Sequence, residues 1–122
     1  ADPDKFTMKN VDPDMVQKNT MRAAKFYFDS MKKNGIDIDD VDLYITTQMG
    51  KYKIHQLADT LKIPHEKIVV QCDRFGNTAA ASMPIALTRA LESGELSLDS
   101  GQRVVMFGAA NGLTFGYASF VL

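Results

Sequence analysis

The residues of this 122-residue chain best placed to do chemistry lie in one stretch, Gln71-Cys72-Asp73-Arg74-Phe75-Gly76-Asn77-Thr78-Ala79-Ala80-Ala81-Ser82. Asn77 offers an amide with two N–H donors and an acceptor, hydrogen-bonding chemistry that can be aimed at a bound ligand. Spacing alone supports equally the plainer role of a helix cap. Gly76 lets the backbone turn or approach another group closely. Thr78 or Ser82 can cap the following helix through a side-chain oxygen. Two further polar, small-residue turns, Thr47-Gln48 and Ala109-Ala110-Asn111, also follow apolar runs.

Other reactive residue types carry less. Cys72 occupies an apolar position and reads as a small hydrophobe rather than a nucleophile. His55 falls within a helix and His65 follows a proline; neither has the company of a metal ligand, so no metal is expected. Asp37, Asp39, Asp40 and Asp42 lack the glycine and closing glutamate of a calcium loop and read as a solvated turn. Gly108, Gly112 and Gly116 do not open a helix, as the dinucleotide fingerprint requires, and are rejected as a nucleotide loop.

The elements that must position these turns follow from periodicity. Asp12-Pro13 starts a helix, with Asp as N-cap and Pro at the first helical position. Its apolar stripe is Val16, Thr20, Ala23, Ala24, Tyr27 and Met31, widened by Met21 and Phe28. Lys32, Lys33, Asn34 and Gly35 end it. Leu43-Tyr44-Ile45-Thr46 is a strand, and a helix runs from about Lys51 to Lys62 with Ile54, Leu57, Ala58 and Leu61 inward. Ile68-Val69-Val70 is a second strand, leading into the turn before Asn77. From Ala79 to Leu91 apolar residues occupy every face, which predicts a helix buried on all sides, and Pro84 must start or kink it. Arg103 to Phe107 is a strand, Gly108 to Gly112 a loop, and Leu113 to Leu122 a last strand closing a hairpin. Phe6 and Met8 alternate in an extended start, and Ala1-Asp2-Pro3-Asp4 reads as a truncated end.

Helices alternating with strands predict an α/β fold with a mostly parallel sheet. Ligands in such sheets gather at the carboxyl ends of strands, so the three turns are expected to converge on one edge. Length and a 45% hydrophobic content allow one domain with a real core. A formal net charge of −1 gives no pull toward nucleic acid or anionic lipid. A single cysteine and the lack of a leader or long apolar run favour a reducing, cytoplasmic setting and no membrane.

The segment Asp73-Arg74-Phe75-Gly76-Asn77-Thr78-Ala79-Ala80-Ala81-Ser82-Met83-Pro84 closely resembles the D-R-x-G-N-T-S-A-A-S-x-P motif of β-ketoacyl-acyl carrier protein synthase III enzymes. Gly108 to Gly116 is similar to their glycine-rich ending. The resemblance implies the C-terminal half, residues 1–122, of a thiolase-like fold: a mixed, mostly parallel sheet with helices on both faces and the last strand antiparallel. It implies a parent acyltransferase that uses coenzyme A or acyl carrier protein thioesters without a cofactor. The family's nucleophilic cysteine belongs to the other, N-terminal half, and a homodimer is expected of the parent.

Residue by residue, Asn77 stands where the family has its catalytic asparagine, which helps a histidine stabilise an enolate. In the P-H-Q-A-N turn, Gln48 matches, but Thr47 stands at the histidine position and Gly50 at the asparagine position. Asn111 matches the position whose backbone N–H lines the family's oxyanion hole. Lys51, Tyr52 and Lys53 fall on the helix used for carrier-protein docking, Tyr52 at the arginine position; a solvated helix face explains them equally well. Two further readings stay open: a non-catalytic synthase-like subunit that holds an active partner, and an ordinary small-molecule-binding α/β domain.

Overall fold

A computed structural model of the chain describes residues 13–110 and 113–122. The expected N-cap at Asp12, the extended start and Asn111 therefore lie outside the described residues. The order is α1 (Pro13–Lys33), β1 (Leu43–Thr46), α2 (Lys51–Leu61), α3 (Cys72–Phe75), α4 (Ser82–Glu92), β2 (Arg103–Ala110) and β3 (Thr114–Val121). The three strands form one sheet in the order β1-β2-β3. β1 runs parallel to β2, with Tyr44 beside Val105, and β3 returns antiparallel, with Tyr117 beside Phe107. A long connection through α2, α3 and α4 makes the first pairing parallel, and a hairpin makes the second antiparallel.

Alternation along the strands builds two cores. Tyr44, Val105 and Phe107 face α1 and α2, meeting Ala23, Ala24, Tyr27, Met31, Ile54, Leu57 and Ala58. Leu43, Ile45 and Val104 face the other way, onto Ala86 and Ala90 of α4 and Leu96. The helices therefore cover both faces of the sheet. Tyr27 ties α1 to the sheet twice: its ring stacks on Phe107 at 4.3 Å, and its hydroxyl donates to the Gly108 carbonyl at 2.7 Å. Burial pushes the Tyr27 hydroxyl pKa up to about 12.

α1 ends as its sequence requires. Gly35, at φ 65°, takes the left-handed position; its N–H bonds to Lys32 and the Ile36 N–H to Met31, the paired bonds of a Schellman cap. The acidic stretch is a turn: Asp37 accepts from the Ile38 N–H, and Asp42 accepts from the Arg103 N–H at 2.7 Å.

Several expectations give way. Met21 and Phe28 are exposed rather than part of the α1 stripe, because the sheet covers only the Ala23-Ala24-Tyr27-Met31 sector. Residues 68–70 form no full strand: a single bridge joins Ile68 to Tyr44, since Gln71 already turns into α3. Cys72 thus opens a short helix instead of lying in a strand. Gly108, Ala109 and Ala110 belong to β2, not to a loop, because β3 continues to pair with them.

The largest correction concerns the stretch from Ala79 to Leu91. Ala79, Ala80 and Ala81 form an exposed 3-10 turn, and the α-helix begins only at Ser82. Pro84 falls in its first turn, where the missing N–H costs nothing. Only Ser82, Ala86 and Ala90 are buried, while Ile85, Leu87 and Leu91 are half-buried. One sheet can cover only one side of a helix.

Tyr27→Phe should lower the unfolding free energy by about 1–2 kcal/mol in urea titrations, because the Gly108 carbonyl loses a half-buried donor. The wild-type phenol holds its proton more tightly folded than unfolded, so its stabilising share is full below pH 10 and is lost as pH rises toward about 12. The variant should therefore lose less stability than wild type over that interval.

Candidate functional site

The site is assembled at the carboxyl ends of β1 and β2. Beyond the last paired residue of β1, the Thr47 N–H donates to the Phe107 carbonyl at 3.1 Å. Its hydroxyl accepts from the Ala109 N–H at 3.0 Å and donates to the Ala109 carbonyl at 3.4 Å. A side chain thus extends the sheet by one step, and both hydrogen-bonding capacities of the hydroxyl serve that purpose.

Gln48, buried to 2% exposure, follows. Its Nε2 donates to the Thr46 carbonyl at 3.0 Å and the Val69 carbonyl at 3.1 Å, while its Oε1 accepts from the N–H groups of Gln71 at 2.7 Å and Cys72 at 3.1 Å. All four bonds reach backbone. A buried amide is tolerated only when satisfied in this way. The clamp locks the end of β1 to the start of α3, and α3 delivers the chain to Asn77. Sequence reasoning missed this role, although a glutamine directly after an apolar strand was the available signal.

The Asn77 side chain shapes the turn it sits in. Oδ1 accepts from the Ala79 N–H at 2.9 Å and from the Ser82 hydroxyl at 3.3 Å. Asn77 thus closes a local turn ahead of the 3-10 segment, while α4 starts with no side-chain cap, from Thr78, Ser82 or Asn77 alike; the Thr78 hydroxyl reaches Ser82 at 3.4 Å. With Oδ1 engaged, the Nδ2 group makes no hydrogen bond among the described residues, and the residue is exposed. Ala79 sits at φ 51°, a left-handed conformation that costs a non-glycine residue about 1–3 kcal/mol. The Asn77 bond to its N–H helps hold it there.

The structure joins Thr47 directly to Ala109 and seats the start of α4 over the same strand end. Met83 of α4 packs over Gly108 of β2: a Cβ placed there would lie 3.4 Å from Met83 Cε, in contact with the end of that side chain. Asn111 lies outside the described residues. Lys51, Tyr52 and Lys53 form the first turn of α2; Tyr52 is 74% exposed, and Lys53 Nζ lies 5.8 Å from its ring centre. That turn has no acidic residue and no side-chain cap. Two ammonium groups therefore add to the positive end of the helix dipole.

The remaining candidates stand apart. The rings of His55 and His65 stack at 4.2 Å, and His65 Nε2 hydrogen-bonds Asp59 Oδ1 at 2.7 Å. Among the described residues no three His, Cys, Asp or Glu side chains gather as a metal site, and no helix is long and apolar enough to cross a membrane. Cys72 is a half-buried free thiol packed on the α1/α2 core.

Comparison with known proteins matches residues 31–122 to a family model described as the C-terminal domain of 3-oxoacyl-[acyl-carrier-protein] synthase III. A β-ketoacyl-[acyl-carrier-protein] synthase III of Streptococcus pyogenes is 35% identical over 94 residues, 77% of this chain and 29% of the relative. The crystal structure of the Aquifex aeolicus synthase III is similar, with TM-score 0.75 and 31% identity, covering 86% of this chain and 32% of that one. The Thermus thermophilus enzyme has TM-score 0.80 and 28% identity, covering 98% of this chain and 38% of that one. The chain thus spans less than a third of the length of its curated relative.

Gln48→Leu removes four bonds from buried or half-buried backbone groups and should cost about 3 kcal/mol or more, at roughly 1–3 kcal/mol for each unsatisfied group. Hydrogen exchange of the Gln71 and Cys72 amides should accelerate well beyond that of the β2 amides.

Proposed function

Because the chain belongs to the 3-oxoacyl-[acyl-carrier-protein] synthase III family through its C-terminal domain, we propose that residues 1–122 form that half of a thioester-dependent acyltransferase. The observation that carries this reading is Asn77, whose Oδ1 is spent on Ala79 and Ser82 while its Nδ2 is left to face a ligand. An amide N–H aimed at developing negative charge stabilises an enolate or tetrahedral oxyanion where water is excluded. The backbone N–H of Asn111 is the second proposed donor, on the strength of its motif position.

In this reading an acyl group passes from coenzyme A or acyl carrier protein to a cysteine on the N-terminal half, and then to an acceptor, with no cofactor or metal. The product class is fatty-acid or polyketide-like. Thr47 cannot carry charge, and both capacities of its hydroxyl are committed to Ala109. Decarboxylation of a malonyl thioester is therefore weak or absent, and the acceptor is a different nucleophile. Lys51, Tyr52 and Lys53 offer a cationic, exposed turn to an anionic carrier protein. The N-terminal half would cover the outward sides of Ile85, Leu87 and Leu91, and the parent would be a cytoplasmic homodimer. This chain alone would be inactive.

The spent hydroxyl of Thr47 also favours a second reading, a non-catalytic synthase-like subunit partnering an active acyltransferase. Assays on the full-length protein separate the two. The first reading expects acylation of a cysteine by acyl-CoA, seen by mass spectrometry, and carbon dioxide release from malonyl-carrier protein about 100-fold or more below that of a histidine-bearing relative. Rapid release would overturn the proposed loss of decarboxylation; no acylation with any acyl-CoA would leave the non-catalytic subunit. Asn77→Asp keeps the Oδ1 acceptor and should fold normally, yet abolish acyl transfer. Unchanged transfer in that variant would remove Asn77 from the mechanism.

A further inference from the structure

α4 buries one narrow stripe, Ser82, Ala86 and Ala90. Alanine fills that stripe at its other two positions and is the better helix former, so packing gives no reason for a hydroxyl at the first. Ser82 is nonetheless buried, at 3% exposure, and α4 takes no side-chain cap from it. A buried hydroxyl is tolerated where it has partners, and here they run in one direction. The Thr78 hydroxyl donates to Ser82 Oγ at 3.4 Å, and Ser82 Oγ donates to Asn77 Oδ1 at 3.3 Å. The Ala79 N–H donates to the same Oδ1 at 2.9 Å.

We propose that Ser82 is a positioning residue for Asn77, supported in turn by Thr78, a role that rests on the acyl-transfer reading above and names what prepares its amide. The first effect is orientation. Two donors converge on one end of the amide, so a half-turn of the side-chain amide would set Nδ2 against an N–H and an O–H. Nδ2 is thereby kept outward, toward the place a thioester oxygen would occupy. The second effect is polarisation. Hydrogen bonds accepted by an amide oxygen draw electron density from its nitrogen, which makes the Nδ2 N–H groups stronger donors to developing negative charge. Ser82 itself touches no reacting atom and acts only through Asn77.

The full-length protein carrying Ser82→Ala tests this, because alanine is the residue that completes the rest of the stripe. The kcat for acyl transfer should fall about tenfold, the effect of one hydrogen bond of ordinary strength, while KM for acyl-CoA stays within about twofold. Thr78→Val, at an exposed position, should lower kcat about threefold, and Thr78→Ser should restore it. Selective 15N-asparagine labelling adds a readout independent of turnover. The Asn77 Nδ2 resonance, assigned by its loss in Asn77→Asp, should shift upfield in Ser82→Ala. An unchanged kcat, a loss confined to KM, or a Thr78→Ser protein no better than Thr78→Val overturns the proposal. A wild-type protein without acyl transfer sinks the acyl-transfer reading instead, and the resonance then decides: an unmoved Nδ2 signal in Ser82→Ala overturns the positioning role as well, and a shifted one upholds it.

Discussion

The Gln48 side-chain amide is the interaction on which the candidate site depends. Strands end where their backbone partners run out, and chain leaving a sheet normally gains freedom there. Here one buried amide supplies partners to β1, to the Val69 carbonyl and to the first N–H groups of α3. It replaces a stretch of sheet with a side chain, which allows residues 68–70 to make only one bridge and still be fixed. A leucine of similar size would fill the space but leave these groups without partners, so the amide is needed for its polarity more than for its volume.

Thr47 works in the same way one residue earlier. Its hydroxyl and N–H extend the β1–β2 ladder to Ala109 and Phe107. A hydroxyl pinned between a backbone donor and a backbone acceptor is a poor catalyst, since any proton it gave away would break the ladder. Asn77 divides its groups differently: the oxygen builds the turn and the nitrogen stays available. An amide has two ends, and only one of them is engaged here.

Much of the fold was legible in the sequence because each signal matched the physics that decides it. The Lys32-Lys33-Asn34-Gly35 ending, the inward residues of α2, the acidic turn before β1 and the β1 strand itself all hold. What was not legible depended on a partner surface. The all-round apolar character of residues 79–91 fixed what could be buried, but only one sheet is present to bury it. Met21 and Phe28 fell outside the stripe for the same reason. β2 ran on through Gly108-Ala109-Ala110 because hairpin register, a long-range property, outweighed the small-residue composition. Gln48 was marked only by its place just past β1, since its four partners are backbone groups between Thr46 and Cys72 and carry no side-chain signature.

The first turn of α2 has a consequence of its own. It is uncapped, cationic at the positive pole of the helix and largely open to water, whereas Ile54, Leu57, Ala58 and Leu61 anchor everything after it. Its helicity is thus imposed from downstream rather than generated at its start, and fraying there should cost little. An approaching surface would meet a pliable rim fastened to an unyielding frame, with the give concentrated within a few residues of Gln48.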